Sequence, residues 1–174
     1  MAVLKVRKYG DPVLRKRAAE VGEITSEIRR TVEDMIETMY DEVGIGLAAP
    51  QIGVPLRLMV VADEETRTAR ALVNPVIGEV SGQVTAEEGC LSIPGIFAPV
   101  TRAARVTVTA RDLDGPPTTI KAEGLLARVL QHEIDHLDGI LFIDRLDPLA
   151  RDRIKRKIKK EGLSEDVRPH AFAL

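Results

Sequence analysis

Gly124-Leu125-Leu126-Ala127-Arg128-Val129-Leu130-Gln131-His132-Glu133-Ile134-Asp135-His136-Leu137-Asp138-Gly139 is the stretch on which the reading of this chain turns. It is bounded by glycines and reads as one helix. On a helix, side chains four apart sit nearly one above the other, so His132 and His136 can aim their imidazoles at a single point. Such a point suits a metal ion. Glu133 lies about 100° further round the helix. There it is off the ligand face but within reach of a water held on the metal, where a carboxylate serves as a base. The plainer reading is an amphipathic helix whose histidines are solvated or satisfied in the core. The choice between the two depends on a third ligand.

The rest of the chain sets the frame. With 174 residues, the expectation is a single domain over 1–174 that can bury a core of its own. Apolar residues make up 44% and charged residues 30%, the balance of an ordinary soluble protein. No apolar run is long enough for a bilayer span. The first residues, Met1 to Lys8, lack the apolar stretch and cleavage site of a signal peptide, so a cytoplasmic location is expected, with an organellar one also compatible. Cys90 is the one cysteine. It has no internal disulfide partner, which suits a reducing compartment and leaves the thiol free for chemistry. The net charge of −2 singles out no partner.

Along the chain, Asp11-Pro12-Val13-Leu14-Arg15 predicts a short helical turn with Asp as cap and Pro at the first position. From about Thr25 to Val43 the apolar positions Ile28, Val32, Met35, Ile36, Met39 and Val43 recur at three and four. They predict a long amphipathic helix, capped by Thr25 or Ser26 and ended by Gly44. Gly44 to Gly53 is rich in small residues and reads as a loop lying close to something. Strands are expected at Leu56–Ala62, Ala71–Asn74, Val76–Val80, Gln83–Glu87 and Val106–Ala110, the last joined through the turn Asp112–Gly115 to a partner at Thr118–Ala122. A further short strand at Ile140–Ile143 and a last helix at Pro148–Lys160 complete the pattern. The fold class is therefore α+β: mostly antiparallel strands around a central metal-binding helix, with an N-terminal amphipathic helix and a C-terminal helix. Residues 161–174 read as a flexible tail.

Cys90, at the end of a predicted strand, is the best candidate for the third ligand. A lone cysteine is often just a small buried apolar residue. Beside a His-Glu-x-x-His helix with no well-placed ligand downstream, the ligand role is the better reading, because Glu161 lies beyond the Asp147-Pro148 break and His170 near the chain end. Glu88, two residues before Cys90, faces the same way on a strand. It could orient a ligand or pair with Arg102 or another arginine. Gln51 is a neutral donor after a tight loop, the type suited to a developing oxyanion.

Three motifs now stand in order: Gly44-Ile-Gly46-Leu-Ala-Ala-Pro-Gln51, Glu88-Gly-Cys90-Leu-Ser92 and Gln131-His132-Glu133-Ile-Asp-His136. Together they resemble the three signature motifs of peptide deformylases, and the resemblance runs from about Leu4 to about Lys160. It implies removal of the formyl group from N-formylmethionine on new polypeptides, with release of formate. It implies Cys90, His132 and His136 as metal ligands, with Fe²⁺ as the native ion and Ni²⁺, Co²⁺ or Zn²⁺ able to substitute. Metal-bound water would attack the formyl carbon, with Glu133 as general base and then acid, and with Gln51 and the Leu91 backbone N–H holding the oxyanion. Ile45, Gly46 and Gly89 would pair with the peptide backbone, and Leu125 and Val129 would line the methionine pocket. Some relatives carry an aliphatic residue at the pocket wall where this chain has Arg128. Its stem could pack on the pocket wall while the guanidinium reaches water.

Arg151 to Lys160 carries seven Lys or Arg. A stripe of Ala150, Ile154 and Ile158 could dock on the domain. The basic face of the helix at 148–160 is either simply solvated or an electrostatic contact with the ribosome. No membrane or DNA partner is expected. Two other classes share parts of the pattern. A zinc endopeptidase would have the same helix with a downstream third ligand. A non-catalytic metal-binding or ribosome-binding protein would give Glu133 no purpose.

Overall fold

The structure, a computed structural model, describes residues 2–63 and 65–163. Its centre is β2 (Leu58–Asp63), a strand buried on both faces. Successive side chains of a strand point to opposite faces, and here the alternation assigns each face to a helix. Met59 and Val61 join the cluster that includes Ala127, Leu130, Ile134 and Leu137, whereas Leu58 and Val60 join the one containing Val32, Met35 and Met39. The first set belongs to α2 (Gly124–Leu137) and the second to α1 (Ser26–Asp41). A sheet between two helices follows directly.

That sheet has five antiparallel strands in the order β1-β2-β3-β6-β7, with β1 at Gly46–Ala48, β3 at Thr68–Ser81, β6 at Arg105–Arg111 and β7 at Pro117–Glu123. A separate hairpin pairs β4 (Val84–Cys90) with β5 (Ile93–Arg102). It forms a third core with Leu14, Leu141, Phe142 and Ile143, against which Ile154 and Ile158 of α3 (Pro148–Glu161) pack. The architecture is α+β, with antiparallel sheets and three α-helices among the described residues. None of these helices is long and apolar enough to cross a membrane.

Several local expectations hold. Asp11 caps a 3₁₀ turn at Pro12–Arg15, and Thr25 caps α1 by accepting from Ile28 N–H. Helix α3 begins at Pro148 as expected, and its cap, which the sequence reading did not name, is Asp147, accepting from Ala150 N–H. Others need correction. Helix α1 stops at Asp41, before Gly44, because Val43 takes the left-handed conformation (φ 57°) and closes the end. Val43 N–H donates to Tyr40 C=O and Gly44 N–H to Met39 C=O, the paired bonds of a Schellman ending. Gly44 is small for another reason: a Cβ there would lie 2.9 Å from Leu91 Cδ1.

The segment Gly44–Gly53 is more regular than a loop. It holds β1 and a 3₁₀ turn at Ala49–Ile52. The two strands expected at Ala71–Asn74 and Val76–Val80 are one strand, β3, which passes Pro75 through a register irregularity. Asn74 takes a left-handed φ of 50° there, and its side-chain amide exchanges hydrogen bonds with the Val21 backbone. Strand β5 was not expected, since Pro94, Gly95 and Pro99 interrupt its pattern. Either strand of a two-stranded ribbon has an open edge, where a proline removes no ladder bond. Finally, Ile140–Ile143 is not a strand. A 3₁₀ turn runs from Phe142 to Arg145, with the Asp144 carboxylate accepting from Leu141 N–H.

Candidate active site

Residues Ala127 to Leu137 of α2 are all buried. Six of them are polar: Arg128, Gln131, His132, Glu133, Asp135 and His136. Each polar group withdrawn from water needs a partner or an explanation. Gln131 clamps the Ala103 backbone, accepting from its N–H and donating to its C=O at 3.0 and 2.9 Å. Asp135 accepts from Arg102 at 2.8 Å and from two nitrogens of Arg145 at 3.1 and 2.7 Å. His132 Nδ1 meets Glu88 Oε1 at 2.9 Å. Glu88 also accepts two bonds from Arg102, at 2.7 and 2.9 Å, and one from Arg128.

Arg128 differs from its expected placement. Its guanidinium turns inward rather than out to solvent. It is buried, donating to Glu88 and to the carbonyls of Val100 and Val84, so it ties α2 to both strands of the hairpin. The expectation assumed a solvent-facing pocket wall, whereas a buried carboxylate and two strand carbonyls attract the cation inward.

Within α2, the buried polar atoms left without partners belong to two neighbouring residues. Both oxygens of Glu133 and Nδ1 of His136 are buried and unbonded. Next to them, Cys90 Sγ, His132 and His136 present donor atoms that all lie within 4.8 Å of one another. His136 Nε2 is 3.2 Å from His132 Nε2 and 3.4 Å from Cys90 Sγ. A tetrahedral ion with bonds of about 2.0–2.3 Å requires nitrogen and sulfur donors about 3.3–3.6 Å apart, so the donor set fits a metal. Glu88 fixes the tautomer. By accepting a hydrogen bond from the His132 Nδ1–H it keeps the proton on that nitrogen and leaves the Nε2 lone pair for the shared centre.

Electrostatics agree with this division. Burial by itself would raise the Glu88 carboxyl, but the hydrogen bonds from His132 and Arg102 outweigh it and hold the group at about 2. Glu133 lacks such donors, and burial pushes its carboxyl well above the usual range, against the pull of Arg102. Burial, then the neighbouring His132, pushes His136 well down. Burial raises the Cys90 thiol to about 12, opposed by the Ser92 N–H. A thiol so buried ionises only with a cation beside it, and thiolate is the form that binds metal.

The other predicted residues surround this centre. Gln51 is buried; its Oε1 accepts from Ala48 N–H at 2.9 Å, which turns the amide NH₂ toward Ser92 Oγ at 3.2 Å and Cys90 Sγ at 3.7 Å. Leu91 is buried directly after Cys90. Gly46 is required by close approach, since a Cβ would stand 2.9 Å from both Glu133 Cγ and Val129 Cγ1. Gly89 is covered by the Phe97 ring, 2.5 Å from where a Cβ would be. Ile45, Leu125 and Val129 share the lining of a cavity of about 390 Å³. Glu161 lies at the exposed end of α3, and His170 is outside the described residues. Sequence reasoning missed the clamp by Gln131, the Asp135–Arg145 pair and the Ser92 hydroxyl. Ser92 could have been found from its place two residues after Cys90; the others carry no local signal.

Comparisons with known proteins agree with this geometry. The sequence model described as polypeptide deformylase matches residues 3–152. A peptide deformylase of Alkalilimnicola ehrlichii is 51% identical over 162 residues, covering 92% of this chain and 91% of the relative. One of Thermodesulfovibrio yellowstonii is 48% identical, covering 91% and 98%. Among solved structures, the peptide deformylase of Legionella pneumophila superposes with a TM-score of 0.85 at 47% identity, covering 91% and 95%. That of Ehrlichia chaffeensis in complex with actinonin gives 0.85 at 40%, covering 92% and 99%. With three motifs, a fold and a donor set in agreement, the chain belongs to the polypeptide deformylase family.

Proposed function

We propose that this chain is a metal-dependent hydrolase that removes the formyl group from N-formylmethionine at the start of new polypeptides. The observation that carries the reading is the convergence of Cys90, His132 and His136 beside the unbonded carboxyl of Glu133. The three donors would hold the ion; Fe²⁺ is the proposed native ion, with Ni²⁺, Co²⁺ or Zn²⁺ as substitutes, a range that suits a mixed thiolate and imidazole set. Once bound, such an ion acts as a Lewis acid, making water a better nucleophile at neutral pH and polarising a carbonyl oxygen.

The chain's own groups do the rest. Glu133 takes a proton from the attacking water as its oxygen bonds to the formyl carbon, and delivers that proton to the nitrogen as the C–N bond breaks. The products are formate and a free amine. The Gln51 amide and the Leu91 N–H donate to the oxygen that gains charge. Strand β1 is an edge strand with one side unpaired in its sheet, which supports pairing of the peptide backbone with Ile45 and Gly46, and with Gly89 on the facing side. The cavity beside Leu125 and Val129 suits the methionine side chain.

Residues 1–174 are read as one deformylase domain. The tail predicted at 161–174 lies almost wholly outside the described residues. The proposed location is the bacterial cytoplasm or an organelle. Helix α3 exposes Arg153, Lys155, Arg156, Lys157, Lys159 and Lys160 while Ile154 and Ile158 pack inward, and we assign that basic face to the ribosome. Such binding should weaken as salt rises, and binding insensitive to salt would remove the assignment.

Product analysis with formyl-Met-Ala-Ser tests the activity. Equal amounts of formate and Met-Ala-Ser are expected. Cleavage at an internal peptide bond without formate would overturn the reading in favour of an endopeptidase.

A further inference from the structure

Two parts of the proposed centre sit outside the main helices and strands. Gln51 belongs to a 3₁₀ turn, and Leu91 and Ser92 form the turn between β4 and β5. Three consecutive residues of the N-terminal segment hold all three. Arg7 N–H donates to Gln51 C=O at 2.6 Å and Tyr9 N–H to Ser92 C=O at 2.8 Å. Between them, the Lys8 ammonium donates to Leu91 C=O at 3.0 Å. Val6, buried in the α1 core, and Tyr9, packed on the hairpin core, anchor the segment at either end.

We infer that Lys8 is a positioning residue for the reaction, acting through the Leu91–Ser92 peptide on both the oxyanion turn and the Cys90 sulfur. The Leu91 carbonyl and the Ser92 N–H belong to one peptide unit, and that N–H points at Cys90 Sγ from 3.4 Å. A cation on the carbonyl end polarises the unit and strengthens the N–H as a donor, because hydrogen bonds in a chain reinforce one another at low dielectric. The sulfur is thereby made less electron-rich. The same contact fixes Leu91, whose own N–H is the proposed oxyanion donor. The backbone bonds of Arg7 and Tyr9 are available to any sequence, whereas the Lys8 contact depends on its side chain.

This inference rests on the metal and oxyanion roles proposed above. The test uses the full chain loaded with Co²⁺, comparing wild type with Lys8→Met and Lys8→Arg. One readout is the energy of the sulfur-to-cobalt charge-transfer band, and the other is kcat and KM for formyl-Met-Ala-Ser. Lys8→Met is expected to move the band to lower energy and lower kcat about tenfold, less than outright removal of an oxyanion donor, with KM little changed. Lys8→Arg should restore both. A band unmoved in Lys8→Met, or Lys8→Arg no better than Lys8→Met, overturns the inference and leaves the deformylase reading intact. A wild-type protein with no such band removes the metal role of Cys90, and the inference with it.

Discussion

Glu88 and Glu133 are both fully buried carboxyls within reach of His132, yet their surroundings drive them in opposite directions. Donors from Arg102, Arg128 and His132 surround Glu88, which is held ionised and immobile. Glu133 has no donor and stands 4.0 Å from His132 Nε2. Two carboxyls pushed apart in this way suit the different tasks proposed for them, Glu88 to orient and Glu133 to carry a proton. Glu133→Ala should therefore keep its metal while losing about 10²- to 10⁴-fold in kcat, the range of general acid–base catalysis. Metal analysis alongside turnover checks this, and an active Glu133→Ala protein would remove the role. The sequence named both glutamates, because short spacing to Cys90 and His132 fixes where they point. It misplaced Arg128, because whether a long cationic side chain turns outward or inward depends on what two distant strands offer it.

The end of α1 shows what an element can reveal that a residue pattern conceals. Glycine follows the periodic run at Gly44, but the left-handed position falls on Val43, which is exposed and β-branched. The left-handed conformation costs a residue with a Cβ about 1–2 kcal/mol. Glycine avoids that penalty but loses more freedom on folding, about 0.5–1 kcal/mol. Val43→Gly should thus stabilise the metal-loaded protein by about 0.5–1 kcal/mol, the difference between the two. A denaturant midpoint that falls in the variant would show that the Val43 side chain contributes more than its conformation costs. Helices were the legible elements, since 3.6-residue periodicity and a cap such as Thr25 are local signals. Strands were less so. β5 carries two prolines and a glycine that only its place in a two-stranded ribbon makes tolerable, and β1 is three small residues whose strand character comes from pairing with β2.

At the scale of the molecule, the two-helix sandwich around β2 brings distant segments to one centre: Gln51 after β1, Cys90 from the separate hairpin, and the histidines from α2. The three motifs could be found and ordered in the sequence. Their convergence was expected from donor chemistry and the family resemblance, whereas the route to it was not legible, since nothing local states that β4 pairs with β5 away from the main sheet. The central claim is that Cys90, His132 and His136 together hold a metal on which deformylation depends. It is tested most directly by measuring formate release from formyl-Met-Ala-Ser on protein stripped by a chelator and then given one equivalent of Co²⁺ without air. The account predicts no formate from the stripped protein and full release after the metal is returned. Formate production by the stripped protein at the rate of the loaded one would contradict it.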